Sequence, residues 1–479
     1  MSVHPRTAPT TLGTRSLALA VICAGQLMMI LDGTIVNVAL PAIQESLGLS
    51  SSNLGWVVNA YLIPFGGLLL LSGRLGDLFG RKGVFLTGVT IFTAASLACG
   101  LASNTATLLT ARFAQGAGAA IASSVTLGMV VTMYTDSRQR AKAIGVYSFV
   151  QSAGGTLGLL FGGVLAQTIG WHWIFLVNLP IGILTVIAAS RVLRTDTATR
   201  DDRAVDGFGA ALITLSMMAG VYAIAETSRY GFGSIRTTGV GLMAIGLLVC
   251  FVIRQAKVRD PLLPFRMFAI RNVSGALATH TLMIAGIFSF QFLAVLYMQN
   301  VLGFDQVRTG LGVVPVSVLI GAMSLLVAPR LIARFTGRVV LLVALASIAA
   351  GLATLSRISA AGTYLTDVFP ATLLLGVGFG LAMPALAGLA MSAATPQDSG
   401  LASGMFNTVQ QIGSSLGLAI LSTLAASHTD ALRARGATSV AALTGGYQLA
   451  FGVAACFVVV AWIVAATVIR TPRVSPVAP

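Results

Sequence analysis

Fourteen apolar runs follow one another along the chain, each long enough, or nearly so, to cross about 30 Å of hydrocarbon as a helix. Their centres fall near Gln26, Phe65, Thr93, Gly118, Gly155, Leu184, Met217, Ala244, Ile287, Leu319, Ser347, Gly380, Gly413 and Ala455. Polar residues gather between them. RVLRTDTATRDDRAVDG separates the sixth run from the seventh, and RQAKVRDPLLPFRMFAIRN the eighth from the ninth. The second connector alternates Leu, Phe and Met with Arg, a pattern open to two readings, a membrane-surface segment or a solvated loop. An even number of spans returns both termini to one side. The first run has no cleavage-site pattern after it and is expected to stay as an uncleaved span ending near Pro41.

An internal repeat sets the architecture. GVYSFVQSAGGTLG from Gly145 aligns without gaps to GMFNTVQQIGSSLG from Gly404, pairing Val150 with Val409, Gln151 with Gln410, Gly154 with Gly413 and Gly158 with Gly417. The fifth span then corresponds to the thirteenth. The expected fold is an all-α polytopic membrane protein of two six-helix bundles related by a pseudo-two-fold axis, with two helices inserted between them. The boundaries are residues 1-195, 196-270 and 271-479. Repeats of this kind are a transporter arrangement, with a substrate site near the midplane between halves.

Composition agrees: 56% of residues are hydrophobic, 9% are charged, and the mean hydropathy is +0.90, whereas soluble domains carry about 25% charged residues. The net charge of +15 suggests nucleic acid until the cations are placed. Of the 29 Lys and Arg, Arg229, Arg236, Arg308, Arg357, Arg433 and Arg435 fall on one side, Arg112 lies within a span, and the remaining 22 fall on the other side. By the positive-inside rule the rich side, with both termini, is cytoplasmic, and no nucleic-acid partner is needed. Cys23, Cys99, Cys250 and Cys456 lie in apolar runs without paired spacing and read as small core residues. No GxxxxGK[ST] loop, dinucleotide fingerprint, metal-ligand cluster or catalytic triad spacing is present, so neither an enzyme nor a cofactor is expected.

Candidate chemistry starts at Asp32, in LDGTIVNVALP from Leu31 to Pro41. A carboxylate at that depth loses its water, which favours the protonated form and brings proton exchange towards neutral pH. A carboxyl that only bonds neighbouring helices is the alternative. Arg112, in LLTARFAQGAGAA, is a second charge inside apolar sequence, and both lie about 9 to 14 Å below the outer surface at 1.5 Å per residue. An arginine beside the acid would favour its charged form, so helix movement would control the proton. Outward snorkelling of Arg112 is the other reading. Gly154, Gly158 and Gly162 share one face of the fifth span and permit close helix approach. Asn37, Gln151, Gln291, Asn407, Gln410 and Gln411 are expected to line a polar cavity or bridge helices, His280 to titrate or sit buried, and Phe288 and Phe292 to face a lipophilic substrate or lipid. Glu226 is expected at the outer interface.

The loop GRLGDLFGRKGVF, from Gly73 to Phe85, carries Gly73, Arg74, Gly76, Asp77, Arg81 and Lys82 in a spacing that resembles the signature loop of the major facilitator superfamily. The resemblance implies that Asp77 latches the cytoplasmic ends of the two halves in the outward-open state, with Asp136 joining its charge cluster. The second-half loop APRLIARFTGR keeps the arginines and has no acid. Arg112, Gln115 and Gly116 resemble the family's Arg-x-x-Gln-Gly stretch. Gly145, Gly154, Gly158, Gly162 and Gly163 resemble its antiporter signature, with Leu159 where the family usually has proline. With WVVNAYLI, WHWIFLVNLPIG and DPLLPFRMF, nearly the whole chain is similar to the fourteen-span drug:proton antiporter group, although His172 stands where that group commonly has arginine. The resemblance implies a monomeric exporter of the inner or plasma membrane that moves a small lipophilic compound outward against protons. An uptake symporter and a non-transporting receptor share the sequence features and remain open.

Overall fold

The apolar runs become helices because a chain in hydrocarbon must satisfy its backbone polar groups internally. The computed structural model describes residues 12–48, 51–134, 136–193, 206–230, 233–258, 261, 266–392 and 398–470, and leaves out some side chains inside helices, including that of Asn37. The connector at 194–205 and much of that at 259–265 lie outside the described residues.

The first group of helices is α1 (Leu12–Leu47), α2 (Ser51–Phe79), α3 (Arg81–Gly100), α4 (Thr105–Met133), α5 (Ser137–Thr168) and α6 (Trp173–Leu176 continued by Asn178–Val192). Next come α7 (Gly207–Tyr230) and α8 (Ile235–Lys257), then a short turn of helix, Arg266–Ala269. The last group is α9 (Arg271–Asn300), α10 (Gln306–Ala322, Met323–Val327 and Ala328–Phe335), α11 (Gly337–Leu355), α12 (Tyr364–Val368 and Phe369–Ala390), α13 (Ser399–Ala434) and α14 (Ser439–Val468). Every expected span centre falls inside its helix. Among the described residues, thirteen of the fourteen are long and apolar enough to cross a membrane by length and composition; α5, 32 residues long, packs among them against α1 and α10.

Polar residues start several helices. Asn104 accepts from Thr107 N at 2.9 Å, Asp136 from Gln139 N at 2.8 Å and Asp305 from Arg308 N at 2.7 Å, satisfying amides that have no partner within the helix. The first helix does not end at Pro41. It runs on to Leu47, and Gly48, at φ 62°, turns the chain. Cys23 and Cys99 are buried as expected, whereas Cys250 and Cys456 sit on exposed faces. Glu226 is buried in α7.

The inserted pair packs as a hairpin. Arg254 on α8 grips Asp206 at the start of α7, with Nη2 to Oδ1 at 2.7 Å and Nε to Oδ1 at 2.9 Å, and Gln255 adds a bond at 3.1 Å. These bonds hold the Asp206 carboxyl below its usual range. Of the pair, α7 lies along α2. A side chain at Gly67 would place its Cβ 3.2 Å from Thr214 O on α7, and one at Gly66 would meet Val221 of α7 at 2.9 Å and Gln411 of α13 at 3.3 Å. Thus α7 covers the line where α2 and α13 meet.

Candidate functional site

Two sites take shape, one inside the first six helices and one where the two groups meet.

Asp32 on α1 and Arg112 on α4 are in direct contact, Arg112 Nη1 to Asp32 Oδ2 at 2.7 Å, and both are buried. The carboxylate's other oxygen, Oδ1, accepts from Gln115 Nε2 on α4 and Asn178 Nδ2 on α6, each at 2.8 Å. Ser96 on α3 accepts from Gln115 at 2.8 Å. Arg112 is held from several sides as well: Nε donates to Val57 O at 3.1 Å, Nη1 to Gln115 Oε1 at 2.7 Å, and the guanidinium lies 4.4 Å from the centre of the Tyr61 ring. A cation over an aromatic face gains electrostatic stabilisation. Five helices therefore converge on one ion pair, and the snorkelling alternative for Arg112 does not hold.

The network suits an ionised Asp32: three donors aim at its two oxygens, and a protonated carboxyl would present a hydrogen to one of them. Burial pulls the other way, because an isolated carboxylate in a dry site is unfavourable. The carboxylate therefore depends on Arg112, 2.7 Å away, for its counter-charge.

The glycines of α5 hold α1 in place around this pair. Built side chains would put the Gly154 Cβ 2.9 Å from Ile30, the Gly158 Cβ 2.9 Å from Leu31 O and the Gly162 Cβ 2.9 Å from Ile35 O. The glycine face thus packs on the stretch of α1 that carries Asp32. Gly145 points elsewhere, onto the Ser324 carbonyl in α10, where a single wide helical turn, Met323–Val327, interrupts the regular ladder. Gly163 and Asn37 lie outside the described side chains.

The second site joins the groups. Asp77, at the end of α2, accepts from Gly400 N and Leu401 N, both at 2.7 Å. These are the first free amides of α13, where the partial positive charge of a helix N-terminus favours an anion. Gly73 allows the approach, since a Cβ there would lie 2.6 Å from Gly400 O. Arg81 sits 3.8 Å from Asp77 and donates to Thr132 at 2.9 Å, and Lys82 donates to Ser190 O at 2.8 Å. Gly76 packs against Val125, and Arg74 stays half-buried beside the turn. Asp136 is used locally, as the cap of α5.

The remaining candidates separate. Gln410 Nε2 donates to Gln151 Oε1 at 3.5 Å across the two groups, and Asn407 donates to Ser123 O at 3.0 Å. Gln411 reaches Ser415 at 3.5 Å. Gln291 is exposed, its amide nitrogen 3.8 Å from a Cβ built at Gly155, and Phe288 and Phe292 are exposed on the same face of α9. His280 does not open to a cavity. It is fully enclosed, stacked on Phe406 at 4.1 Å, with neither ring nitrogen bonded among the described residues. Sequence reasoning missed Ser96, Asn178 and Tyr61 as members of the Asp32 site. Their one signal was a polar residue in an apolar run.

Comparison with known proteins fits this geometry. The family model described as Major Facilitator Superfamily matches residues 22–418. The chain is 37% identical to the puromycin resistance protein pur8 of Streptomyces alboniger, covering 92% of this chain and 88% of that protein. It is 34% identical to the cephamycin export protein CmcT of Amycolatopsis lactamdurans, over 89% and 87%. A solved structure of the human organic anion transporter MFSD10 superposes with a TM-score of 0.68 at 15% identity, covering 94% of this chain and 99% of that one. On the breadth of the family match and these identities, the chain is a member of the Major Facilitator Superfamily.

Proposed function

We propose that this multi-pass membrane transporter exports small lipophilic compounds, antibiotics among them, in exchange for protons. The observation that carries the proton step is the buried Asp32–Arg112 pair, with Gln115 and Asn178 completing its shell. Export is supported by relatives whose names describe drug resistance and export. Residues 1-195 and 271-479 act as two rocking bundles, with 196-270 supplying the inserted pair, and both termini face the cytoplasm. The protein works as a monomer in the cell membrane.

In the conformation described, the bundles are joined at the Asp77 end through its bonds to α13, which is the cytoplasmic end in this reading. A proton arriving at Asp32 neutralises it and weakens its hold on Arg112. The shell of five helices then relaxes, and the motion is carried through the α1–α5 glycine contact to the α5–α10 seam. Release of Asp77 from α13 opens the cytoplasmic side, where substrate replaces the proton. Inward proton movement gains about 2.3 kcal/mol per charge per 100 mV of membrane potential.

Everted vesicles test this with puromycin and cephamycin as probes. Imposing an interior-acid pH gradient is expected to drive accumulation, and a protonophore to abolish it. Gradient-driven loss from the vesicles would indicate uptake in the cell, and saturable binding without flux would indicate a receptor; either outcome contradicts the proposal.

A further inference from the structure

A proton on Asp32 removes the anion from beside Arg112, and an arginine cannot discharge itself by giving up a proton of its own. Among the described residues Asp32 is the acid that pairs with Arg112. The other ionisable side chains at the site are the Tyr61 phenol on α2 and the Cys99 thiol on α3, whose Sγ lies 3.6 Å from Gln115 Oε1. On their ordinary values both are neutral at physiological pH. A buried cation left without its partner is strongly unfavourable, so another group has to hold the guanidinium through that part of the cycle.

Two aromatic rings are placed to do so. The Arg112 guanidinium carbon lies 4.4 Å from the centre of the Tyr61 ring and 5.6 Å from that of Phe175 on α6. Both distances are within the range at which a ring face attracts a cation, and the attraction is strongest where water is excluded. Both rings are buried and both are braced. The Tyr61 hydroxyl donates to Met29 O on α1 at 3.4 Å, and Phe65 stacks on its ring with centroids 5.7 Å apart. Gly116 of α4 leaves room for the Tyr61 backbone. Trp171 meets Phe175 edge-on, centroids 6.2 Å apart. Phe175 sits one turn before Asn178, which bonds Asp32 at 2.8 Å, so the start of α6 touches both members of the pair.

We propose that Tyr61 and Phe175 are positioning residues of the proton cycle: their ring faces hold Arg112 in place while Asp32 is protonated, so that the ion pair re-forms when the proton leaves. Val57 O and Gln115 Oε1 fix the direction of the guanidinium, and the rings supply the attraction. A ring face carries no net charge, so it keeps the cation without replacing Asp32 as its anion. The assignment rests on the proton-exchange reading above and adds what keeps the arginine at its post.

The test weakens the ring face while keeping its shape. Tyr61→Phe is the reference, and phenylalanines carrying one, two and three ring fluorines are then placed at the same position. In everted vesicles with an imposed pH gradient, Tyr61→Phe is expected to accumulate puromycin within twofold of the wild type. Accumulation should then fall stepwise with fluorination, about tenfold by the third fluorine. Exchange of labelled for unlabelled puromycin, which needs no net proton movement, should stay near the wild-type rate throughout, as a packing defect would not allow. A flat series overturns the assignment, as does a loss already complete in Tyr61→Phe, which would belong to the hydroxyl. Melting in detergent gives a reading independent of transport: trifluorination should lower the melting temperature more in Asp32→Asn, where Arg112 has no anion, than in protein with Asp32. Equal shifts overturn the assignment. If wild-type vesicles build no puromycin gradient, the export reading fails, while the melting comparison still decides whether the rings hold Arg112.

Discussion

Asp32 in α1 and His280 in α9 are both ionisable, both fully buried, and lie in helices that the repeat relates to one another. Asp32 is met by Arg112, Gln115 and Asn178 within 2.8 Å, while His280 is stacked on Phe406 and bonded to nothing among the described residues. The seams repeat the contrast. Gly404 packs on Leu69 O of α2, and its repeat partner Gly145 packs on Ser324 O of α10, so both seams rely on backbone meeting backbone. The α2–α13 seam adds Asp77 capping the other helix. In the second-half loop, Arg330 bonds only back to Leu326 O of its own helix among the contacts described. The two groups share a packing plan and differ in charge: the buried ion pair and the Asp77 cap both belong to the first six helices.

The largest expected effect breaks the contrast at its charged end. Arg112→Leu leaves a buried carboxylate without its cation, a loss of about 3–5 kcal/mol, and should abolish gradient-driven export and lower thermal stability in detergent. Adding Asp32→Asn should restore most of the stability and none of the export. Asp77→Asn comes next. It removes the anion from the α13 N-terminus at a cost of about 0.5–2 kcal/mol, so the closed α2–α13 seam should open more often. Labelling of a cysteine placed at Ser399 should rise several-fold while puromycin export falls. His280→Leu, at the uncharged end, should alter export less than twofold with its pH profile unchanged; a shifted profile would give the second bundle a proton role that this account denies it.

The smallest effect concerns the inserted pair. Arg254 holds the Asp206 carboxyl below its usual range, so this contact stabilises the α7–α8 hairpin fully above the ordinary carboxylate pKa of about 4 and is lost as pH falls through the lower folded value. Asp206→Asn should therefore lower melting temperature near neutral pH and flatten its fall below about pH 4. Scans across that range check the sign.

Much of this was legible in the chain because hydrocarbon imposes a simple rule on length and polarity. All fourteen span centres lie within helices, and the shared depth of Asp32 and Arg112 permitted a contact that the sequence could not show. What was not legible depends on neighbours remote in sequence. Asp77 finds a donor amide 323 positions away, and Asn178 reaches Asp32 across 146; an isolated Asn or Ser in an apolar run carries no period that would reveal its partner. Pro41 misled because its φ suits a helix and neighbouring helices tolerate proline in a membrane. Cys250 and Cys456 misled because an apolar run has a lipid side as well as a core side.

The central claim is that Asp32 carries the coupling proton, and Asp32→Asn in reconstituted vesicles tests it most directly. The variant is expected to fold, to exchange labelled puromycin for unlabelled across the membrane at a rate near that of the wild type, and to build no concentration gradient when a pH gradient is imposed. Concentrative, protonophore-sensitive transport by Asp32→Asn at the wild-type level would contradict the account.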